Sequence, residues 1–398
     1  MDEQSVCDAK RYTREFDHEA AVLERYGGAA KEVEACLCSP VSYDRSLLEI
    51  IPNELLEKDY GCGDPSRYVR KGETVLDLGS GSGKACYIIS QIVGARGKVI
   101  GVDFNPPMID LARKYQQSVG DRLGYHNVEF RRGKIQDLQT DLELVDRYLQ
   151  RNPIGSVTGL ARLEDFQHRI SREQPLVADA SIDVIVSNCV LNLVRPEDKK
   201  QLFAEMYRVL KRGGRVAISD IVSDEPVPRH LSQDPNLWSA CVSGAFQEED
   251  FLRAFEDAKF HGIRIEEFSS KPYQVVEGIE FRAVTVTAYK GKEGPCIERN
   301  QAVIYRGPWK KVVDDDGHTL ERGARMAVCD KTFRLYSQPP YDGQFIPIPP
   351  RKNVETEEAS VFDCARDHKR HPRETKGVEF KATQLSGSVC APGSNCCP

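Results

Sequence analysis

The chain has 398 residues, of which 40% are hydrophobic and 29% are charged, and its formal net charge is -6 at pH 7. This composition is typical of a soluble protein of two or three domains. The acidic balance argues against nucleic acid or an anionic membrane as partner, and no apolar run approaches the ~20 residues of a membrane span. The charged, polar start of the chain does not resemble a signal peptide, so we expect a cytoplasmic protein, and we expect a monomer.

The number of cysteines, thirteen, is the unusual feature of this composition. In a reducing compartment, cysteines pack as small apolar groups, bind soft metals or take part in redox chemistry. No CxxC motif occurs, so neither a zinc ribbon nor a thioredoxin-type site has support. The position of each cysteine in the predicted fold must therefore decide its role.

The predicted elements divide the chain into four parts. Residues 1–70 form an N-terminal helical and loop segment, with a helix over 13–35. Residues 71–222 form the second part, in which strands and helices alternate from Thr74 onward, and this predicts an α/β domain with a parallel sheet and helices on both faces. Residues 138–180 form a connection between two strands that is longer than usual, and they are predicted to be an inserted pair of charged helices.

The remaining residues lose this regular alternation. Residues 223–290 are predicted to contain two helices around a glycine turn, followed by strands, as an α+β acceptor-binding region. Residues 291–398 are predicted to be a small β-rich C-terminal domain with a mobile tail, and "ARMAVCDKTFRLY" is predicted to be strand.

The stretch "VLDLGSGSGK" places Gly79, Gly81 and Gly83 at the turn between the first strand and the first helix of the α/β domain. Glycines allow the backbone to approach a ligand closely there. The second strand ends in Asp103, about 20 residues later, where a carboxylate can accept the ribose hydroxyls of a nucleotide-like ligand. The pattern therefore predicts a cofactor site.

Three details favour S-adenosylmethionine over a dinucleotide in this site. The spacing is GxGxG, whereas a pyrophosphate turn uses GxGxxG. Asp77 would repel a diphosphate but can face a cation, and Ile135 offers a flat wall for adenine. The remaining predicted cofactor-binding residues are Ser80, Phe104, Met108, Gln136 and Asn188.

The stretch "SNCVLNL" places Cys189 directly after the fourth strand. Ligands of such sheets bind outside the carboxyl ends of the strands, so this thiol should point toward the methyl donor. Methyltransferases that act on nitrogen often carry a polar-Pro-Pro-aromatic motif here instead. A soft, thiol-binding acceptor therefore fits better than an amine.

Taken together, these motifs resemble those of known protein families. "VLDLGSGSG", "GVDFNPPMI", "SNCVLNL" and "RVLKRGGR" resemble class I S-adenosylmethionine-dependent methyltransferases. With "CLCSPVSYD", "DYGCGDP" and "SACVSGA" added, the chain resembles the arsenite S-adenosylmethionine methyltransferases over residues ~20 to ~290, and more loosely beyond. The resemblance implies a Rossmann-like class I sheet and arsenite or methylarsenite as the substrate.

The resemblance also implies roles for the cysteines. Cys62, Cys189 and Cys241 match the three that hold trivalent arsenic, and Cys36 or Cys38 matches the cysteine that pairs with Cys62 in a redox role. A thiol reductant, glutathione or thioredoxin, would reset such a pair.

Two positions depart from the family pattern. Leu191 stands where close relatives often have a second cysteine, and Gln136 stands where many have a glutamate, which is expected to weaken a cofactor contact. Three other hypotheses stay open: a C- or O-methyltransferase acting on a lipid or quinone, a non-catalytic thiol-based metalloid-binding protein, and a zinc site in which a fourth ligand joins the three cysteines.

Overall fold

The computed structural model of the protein describes residues 17–32, 43–58, 60–364 and 369–381. The chain divides into two units, Met1–Gly291 and Lys292–Pro398. No helix in these described ranges combines the length and the apolar character needed to cross a lipid bilayer.

Helices and strands alternate through most of the first unit. Its helices are α1 (His18–Ala29), α2 (Arg45–Leu48), α3 (Asn53–Glu57), α4 (Lys84–Val93), α5 (Pro106–Lys114), α6 (Gln116–Leu123), α7 (Leu142–Arg151), α8 (Val157–Glu173), α9 (Pro196–Val209), α10 (Arg229–Ser232), α11 (Pro235–Ser239) and α12 (Glu248–Asp257). Its strands are β1 (Thr74–Leu78), β2 (Lys98–Asp103), β3 (Val128–Arg132), β4 (Ile182–Asn188), β5 (Leu210–Ser223), β6 (Phe246–Gln247), β7 (His261–Phe268), β8 (Gln274–Val276) and β9 (Ile279–Tyr289).

A mixed sheet forms the frame of this unit, with the strand order β3-β2-β1-β4-β5-β9-β7. Strands β1 to β5 pair in parallel, whereas β9 runs antiparallel to β5 and β7 runs antiparallel to β9. The predicted α/β class with a Rossmann-like sheet is confirmed. The sequence did not indicate that the strands of residues 261–289 would extend the same sheet.

The core lies on both faces of the sheet because successive strand residues point to opposite sides. Val75 belongs to one buried cluster, under α4 and α5, and its neighbour Leu76 belongs to another, under α9 and α12. Strands covered on both faces become continuous apolar runs, which is the pattern of "IDVIVS" in β4.

The strand register aligns the ends that carry the predicted site. Leu78 at the end of β1 pairs with Val102 in β2 and with Ser187 in β4. The residues that follow, Gly79, Asp103 and Asn188, therefore emerge along one edge of the sheet.

The insertion of residues 138–180 contains α7 and α8 and is anchored by hydrogen bonds to an ion pair within α9. The buried Glu205 carboxylate accepts hydrogen bonds from Leu138 N at 2.9 Å and from the Arg208 guanidinium at 2.7 and 2.8 Å. Arg208 donates onward to Val177 O at 3.1 Å. One pair thus holds both ends of the insertion.

Replacing Glu205 by alanine should lower the free energy of unfolding by about 2 kcal/mol, because Arg208 and the Leu138 N–H lose a buried acceptor. Cleavage of the insertion by protease should accelerate in parallel. Glu164→Ala, at an exposed position of α8, is the matched control and should change stability by less than about 0.5 kcal/mol. Equal denaturation midpoints for the two variants would contradict this account.

Several predicted elements differ from those observed. The second helix of the α/β domain breaks at Tyr115 into α5 and α6, and the predicted helix around Trp238 consists of the one-turn helices α10 and α11. "DKTFRLY" was predicted to be strand and is a helix. Its start is capped by the Cys329 side chain, which accepts from Thr332 N.

The second unit is small and rich in short strands, as predicted. Its elements are β10 (Ala302–Tyr305), β11 (Lys311–Val313), β12 (Thr319–Glu321), β13 (Arg325–Ala327), α13 (Asp330–Tyr336), β14 (Phe345–Ile348) and α14 (Pro372–Lys376). Strand β10 lies between β13 and β14, antiparallel to both, and β11 pairs with β12. Much of the predicted mobile tail, residues 382–398, lies outside the described residues.

Candidate active site

A cleft opens at the carboxyl ends of β1, β2 and β4. Ten of the eleven residues predicted to bind the cofactor line it: Asp77, Gly79, Ser80, Gly81, Asp103, Phe104, Met108, Ile135, Gln136 and Asn188. The eleventh, Gly83, caps α4 in a left-handed conformation with φ of 82°, and a Cβ there would lie 2.6 Å from the Phe130 ring.

The glycine turn allows the loop after β4 to approach closely. Gly79 has φ of 70°, and a Cβ at this position would lie 2.4 Å from Val190 Cγ1. A side chain at Gly79 would therefore push apart the two segments that line the cleft.

Two buried carboxylates lie at the cleft. Asp103 accepts from Gly81 N at 2.9 Å and from Asn105 N at 2.8 Å; burial raises its pKa, and these amide hydrogen bonds oppose the rise. Burial raises the pKa of Asp77 to about 7, although the thiol of Cys86 donates to its Oδ2 at 3.2 Å. A cation bound beside Asp77 would favour the ionised form.

The lining residues fit S-adenosylmethionine. The Ser80 hydroxyl and Asn105 Oδ1 are buried and have no hydrogen-bond partner among the described residues, so both can serve a polar ligand. Met108 and Ile135 are buried apolar side chains on the same cleft. Polar groups, an apolar wall and buried acids suit a cationic nucleoside better than a diphosphate.

Two of the predicted thiol ligands are joined in this structure. Cys62 and Cys189 form a disulfide with a Cα–Cα distance of 6.0 Å, and Cys189 also lines the cleft. The expected partner of Cys62 was Cys36 or Cys38, and both lie outside the described residues. Cys189 is thus a partner of Cys62 that the sequence did not indicate.

Asn188 positions the segment that carries Cys62. Its side-chain oxygen accepts from Cys62 N at 2.8 Å and from Gly63 N at 3.1 Å, and its amide donates to Gly63 O at 2.7 Å. A Cβ on Gly61 would lie 2.2 Å from Asn188 Nδ2, and a Cβ on Gly63 would lie 2.4 Å from Ser219 Oγ. The two glycines are therefore needed for close packing of this segment.

Cys241 lies beside Cys189 and is fully buried. Its thiol donates to Cys189 O at 2.9 Å and lies 3.6 Å from the Tyr26 hydroxyl. Asn192 donates to Cys241 O at 3.1 Å and to Ile221 O at 2.7 Å, which ties the Cys241 segment to β5.

Comparison with known proteins identifies the family. Residues 69–158 and 159–259 match the family model described as a methyltransferase domain, and 292–380 match a domain of unknown function. The arsenite methyltransferase of Aquipseudomonas alcaligenes is 33% identical over 305 residues, covering 73% of this chain and 77% of that protein. This chain belongs to the arsenite methyltransferase family.

Other members of the arsenite methyltransferase family extend the match. The Mus musculus arsenite methyltransferase is 27% identical and covers 94% of this chain and 96% of that protein. The crystal structure of an arsenic(III) S-adenosylmethionine methyltransferase from Chlamydomonas reinhardtii is 27% identical, with a TM-score of 0.53, over 82% of this chain and 100% of that chain. The protein is accordingly an S-adenosylmethionine-dependent methyltransferase.

The contacts of α1 were not predicted from the sequence, because none of the motifs that support the resemblance lies within its residues. Glu19, Val22 and Tyr26 line the cleft, and Glu19 bonds Lys134 at 2.7 Å, beyond the end of β3. Arg25 donates to Asn236 O at 3.1 Å in α11. Because these partners are distant in sequence, the helical pattern of residues 18–29 contained no signal of them.

Proposed function

We propose that this enzyme transfers a methyl group from S-adenosylmethionine to trivalent arsenic held by the thiolates of Cys62, Cys189 and Cys241. The proposal rests on the position of these cysteines. They come from three separate segments: Cys189 and Cys241 belong to one buried apolar cluster, Cys62 packs against that cluster, and Cys189 also lines the cleft. Trivalent arsenic is a soft centre that binds three sulfurs in a pyramid, and thiolates select such centres.

The backbone supplies a second argument for a role of these thiols. Cys189 has φ of 57° and Cys241 has φ of 62°, in the left-handed region that favours glycine. A residue with a Cβ costs on the order of 1 kcal/mol there. Since glycine would avoid that cost, cysteine at both positions is best explained by a need for the thiol.

Bound S-adenosylmethionine supplies an electrophilic methyl group on a cationic sulfur. We propose that the glycine turn, Asp77 and Asp103 hold it, together with Ser80, Phe104, Met108, Ile135 and Gln136. Asn188 acts through Cys62 and is a positioning residue. Holding donor and acceptor in line replaces an encounter in solution, for which effective molarities of order 10⁵ M are possible.

In the proposed reaction, three thiolates donate electron density to arsenic and make its lone pair nucleophilic. The lone pair forms the As–C bond while the S–CH₃ bond breaks, and its electron pair stays on S-adenosylhomocysteine. Arsenic carries no proton, so no general base is required. The step formally oxidises arsenic to the pentavalent state.

Two electrons must then return arsenic to the trivalent state. Two thiolates that close to a disulfide supply them, and the Cys62–Cys189 disulfide supports a pair able to do so. Glutathione or thioredoxin would then reduce that disulfide and regenerate the ligands.

The test is transfer of label from methyl-labelled S-adenosylmethionine to arsenite in the presence of thiol, with separation of the methylated arsenicals. We expect labelled mono- or dimethylated arsenic from the full-length enzyme. Binding of S-adenosylmethionine without any methylated arsenic would refute arsenic as the methyl acceptor. The chain would then be a methyltransferase that acts on another substrate. Stoichiometric zinc in the purified protein would instead favour a zinc site at the three cysteines.

The pKa of Asp77 predicts how cofactor binding depends on pH. Below about pH 7 the free carboxyl is protonated, so a cation that needs the carboxylate must displace a proton. The affinity for S-adenosylmethionine should fall about tenfold per pH unit below pH 7. Asp77→Asn should bind more weakly at pH 8 and lose most of this dependence, as measured by calorimetry. An unchanged pH profile in the variant would exclude Asp77 as the titrating group.

The raised pKa of Asp77 also makes the free energy of unfolding depend on pH. Burial raises the pKa of Asp77 to about 7 in the folded state, from an ordinary value of 3.8, so the folded state binds more protons between these values. Its contribution to stability therefore falls as pH rises through that window. Asp77→Asn should be less sensitive to pH there.

A further inference from the structure

The second unit contains a pair of cysteines outside the proposed active site. Asp330 N donates to Ile297 O at 2.9 Å, and Phe362 N donates to Cys296 O at 2.9 Å, so three segments meet around Cys296. Cys296 packs against a buried cluster of Ala327, Cys329 and Phe362. Cys329 is a member of that cluster, the hydrogen bond between Asp330 and Ile297 joins the residues that directly follow the two cysteines, and both thiols are free.

One thiol of this pair is accessible and the other is held in place. Cys296 is partly exposed, whereas Cys329 is buried. The sulfur of Cys329 lies 3.3 Å from the Thr332 hydroxyl and accepts from Thr332 N at 3.5 Å at the start of α13. A reagent can therefore approach through Cys296 and meet a second thiol that is already oriented.

From this arrangement we infer that Cys296 and Cys329 form a dithiol site for a monosubstituted trivalent arsenical, with one As–C bond and two exchangeable hydroxyls. The choice of arsenic as the ligand rests on the proposed function. The site itself goes beyond that function, because it belongs to the second unit and needs no methyl transfer.

The number of sulfur ligands that the site offers, two, favours a monosubstituted arsenical. A monosubstituted trivalent arsenic needs two sulfurs to complete its pyramid, whereas inorganic arsenite needs three. Zinc needs four ligands, and among the described residues no third His, Cys, Asp or Glu forms a metal-binding group with this pair. The apolar Ala327 and Phe362 beside the thiols suit an organic substituent on arsenic.

The binding reaction needs no oxidant or reductant. Each S–H exchanges with an As–OH, which forms one As–S bond and releases one water. Arsenic stays trivalent, and both sulfurs keep their oxidation state. Because the second thiol acts at a high effective concentration, retention by the pair should exceed that by a single thiol by 10² or more.

The test uses phenylarsine oxide as a monosubstituted probe on the reduced full-length protein. Trypsin should release Cys296 in the peptide 293–299 and Cys329 in the peptide 326–331. The glutathione challenge, at millimolar concentration, is made on the folded protein, and digestion follows after the glutathione is removed. We expect mass spectrometry then to detect these two peptides bridged by one phenylarsenic group. Cys296→Ser and Cys329→Ser should each lose the bridge, and Cys364→Ser, a control at an exposed cysteine, should keep it.

Two measurements keep this inference falsifiable. Serine is a preferred N-cap residue, so Cys329→Ser should retain α13 and its native circular dichroism. A wild-type digest without the bridged peptides, or a bridge that persists in Cys296→Ser, would overturn the dithiol site. Formation of the bridged peptides needs no methylation, so they should also form in Cys189→Ser. Failure of the dithiol site can therefore be distinguished from failure of the proposed function.

Discussion

Replacing Cys189 or Cys241 by serine should abolish the methylation of arsenite and leave the binding of S-adenosylmethionine intact. A serine oxygen is a hard ligand that binds arsenic weakly. The loss should exceed 100-fold, since even partners of a metal ligand cost 10–100-fold when removed. Cys62→Ser should behave in the same way. The measurements are label transfer to arsenite and calorimetric titration with S-adenosylmethionine.

The control for these variants is Cys364→Ser, which changes an exposed cysteine of the second unit and should keep full activity. Omission of reductant is a second check. With Cys62 and Cys189 joined, two of the three proposed ligands are lost, so the oxidised wild type should be inactive and thiol should restore it. Full activity in Cys189→Ser and Cys241→Ser would refute the thiolate mechanism.

Adding one methyl group at Gly63 should disrupt the site almost as severely. A Cβ there lies 2.4 Å from Ser219 Oγ and 2.7 Å from Ser219 Cβ. Ser219 is buried and its hydroxyl lies 2.8 Å from that of Thr285, so rotation of the side chain would lose that hydrogen bond and would leave the Ser219 Cβ in place. We expect Gly63→Ala to cost about 1–3 kcal/mol of stability and to displace Cys62, with a loss of methylation larger than the loss of stability explains.

Gly61→Ala tests the other side of the same segment. Its Cβ meets the end of the Asn188 side chain, which three hydrogen bonds hold. The matched control is Gly155→Ala, where nothing lies within 4 Å and φ is not positive. That variant should match the wild type in both denaturation and label transfer. Wild-type activity in Gly61→Ala and Gly63→Ala would show that the packing does not position Cys62.

The sequence predicted the parts of the fold in which pattern and position coincide. Alternating strands and helices predicted the sheet, and the glycine turn with Asp103 predicted a cofactor site whose residues the structure brings to one cleft. The reason is local. A strand that ends in Asp77-Leu78 and continues into Gly79 places that turn at the carboxyl edge of the sheet, whichever strands flank it.

Contacts between residues that are far apart in the sequence could not be predicted in this way. Periodicity identified β9 as a strand but did not indicate its pairing with β5. The pattern of α1 indicated a helix but not that Tyr26 would lie beside Cys241. "DKTFRLY" contains strand-forming residues, but its start is capped by Cys329 and its Tyr336 is buried in the core of the second unit, and neither contact could be read from the sequence pattern. The assignment of Cys62, Cys189 and Cys241 as ligands remains a prediction.

Helix α1 contacts both the cleft and Cys241, and this could couple the binding of the two substrates. Tyr26 lines the donor cleft and also meets Cys241, while Leu23 O accepts from the side chain of Asn105 and Arg25 bonds α11. We expect a ligand that immobilises this helix from the cleft also to hold Tyr26 in place beside Cys241. Thermodynamic linkage would make any such effect reciprocal, so each of the two proposed substrates would then raise the affinity for the other by the same factor. Under this hypothesis the ternary complex is favoured over either binary one.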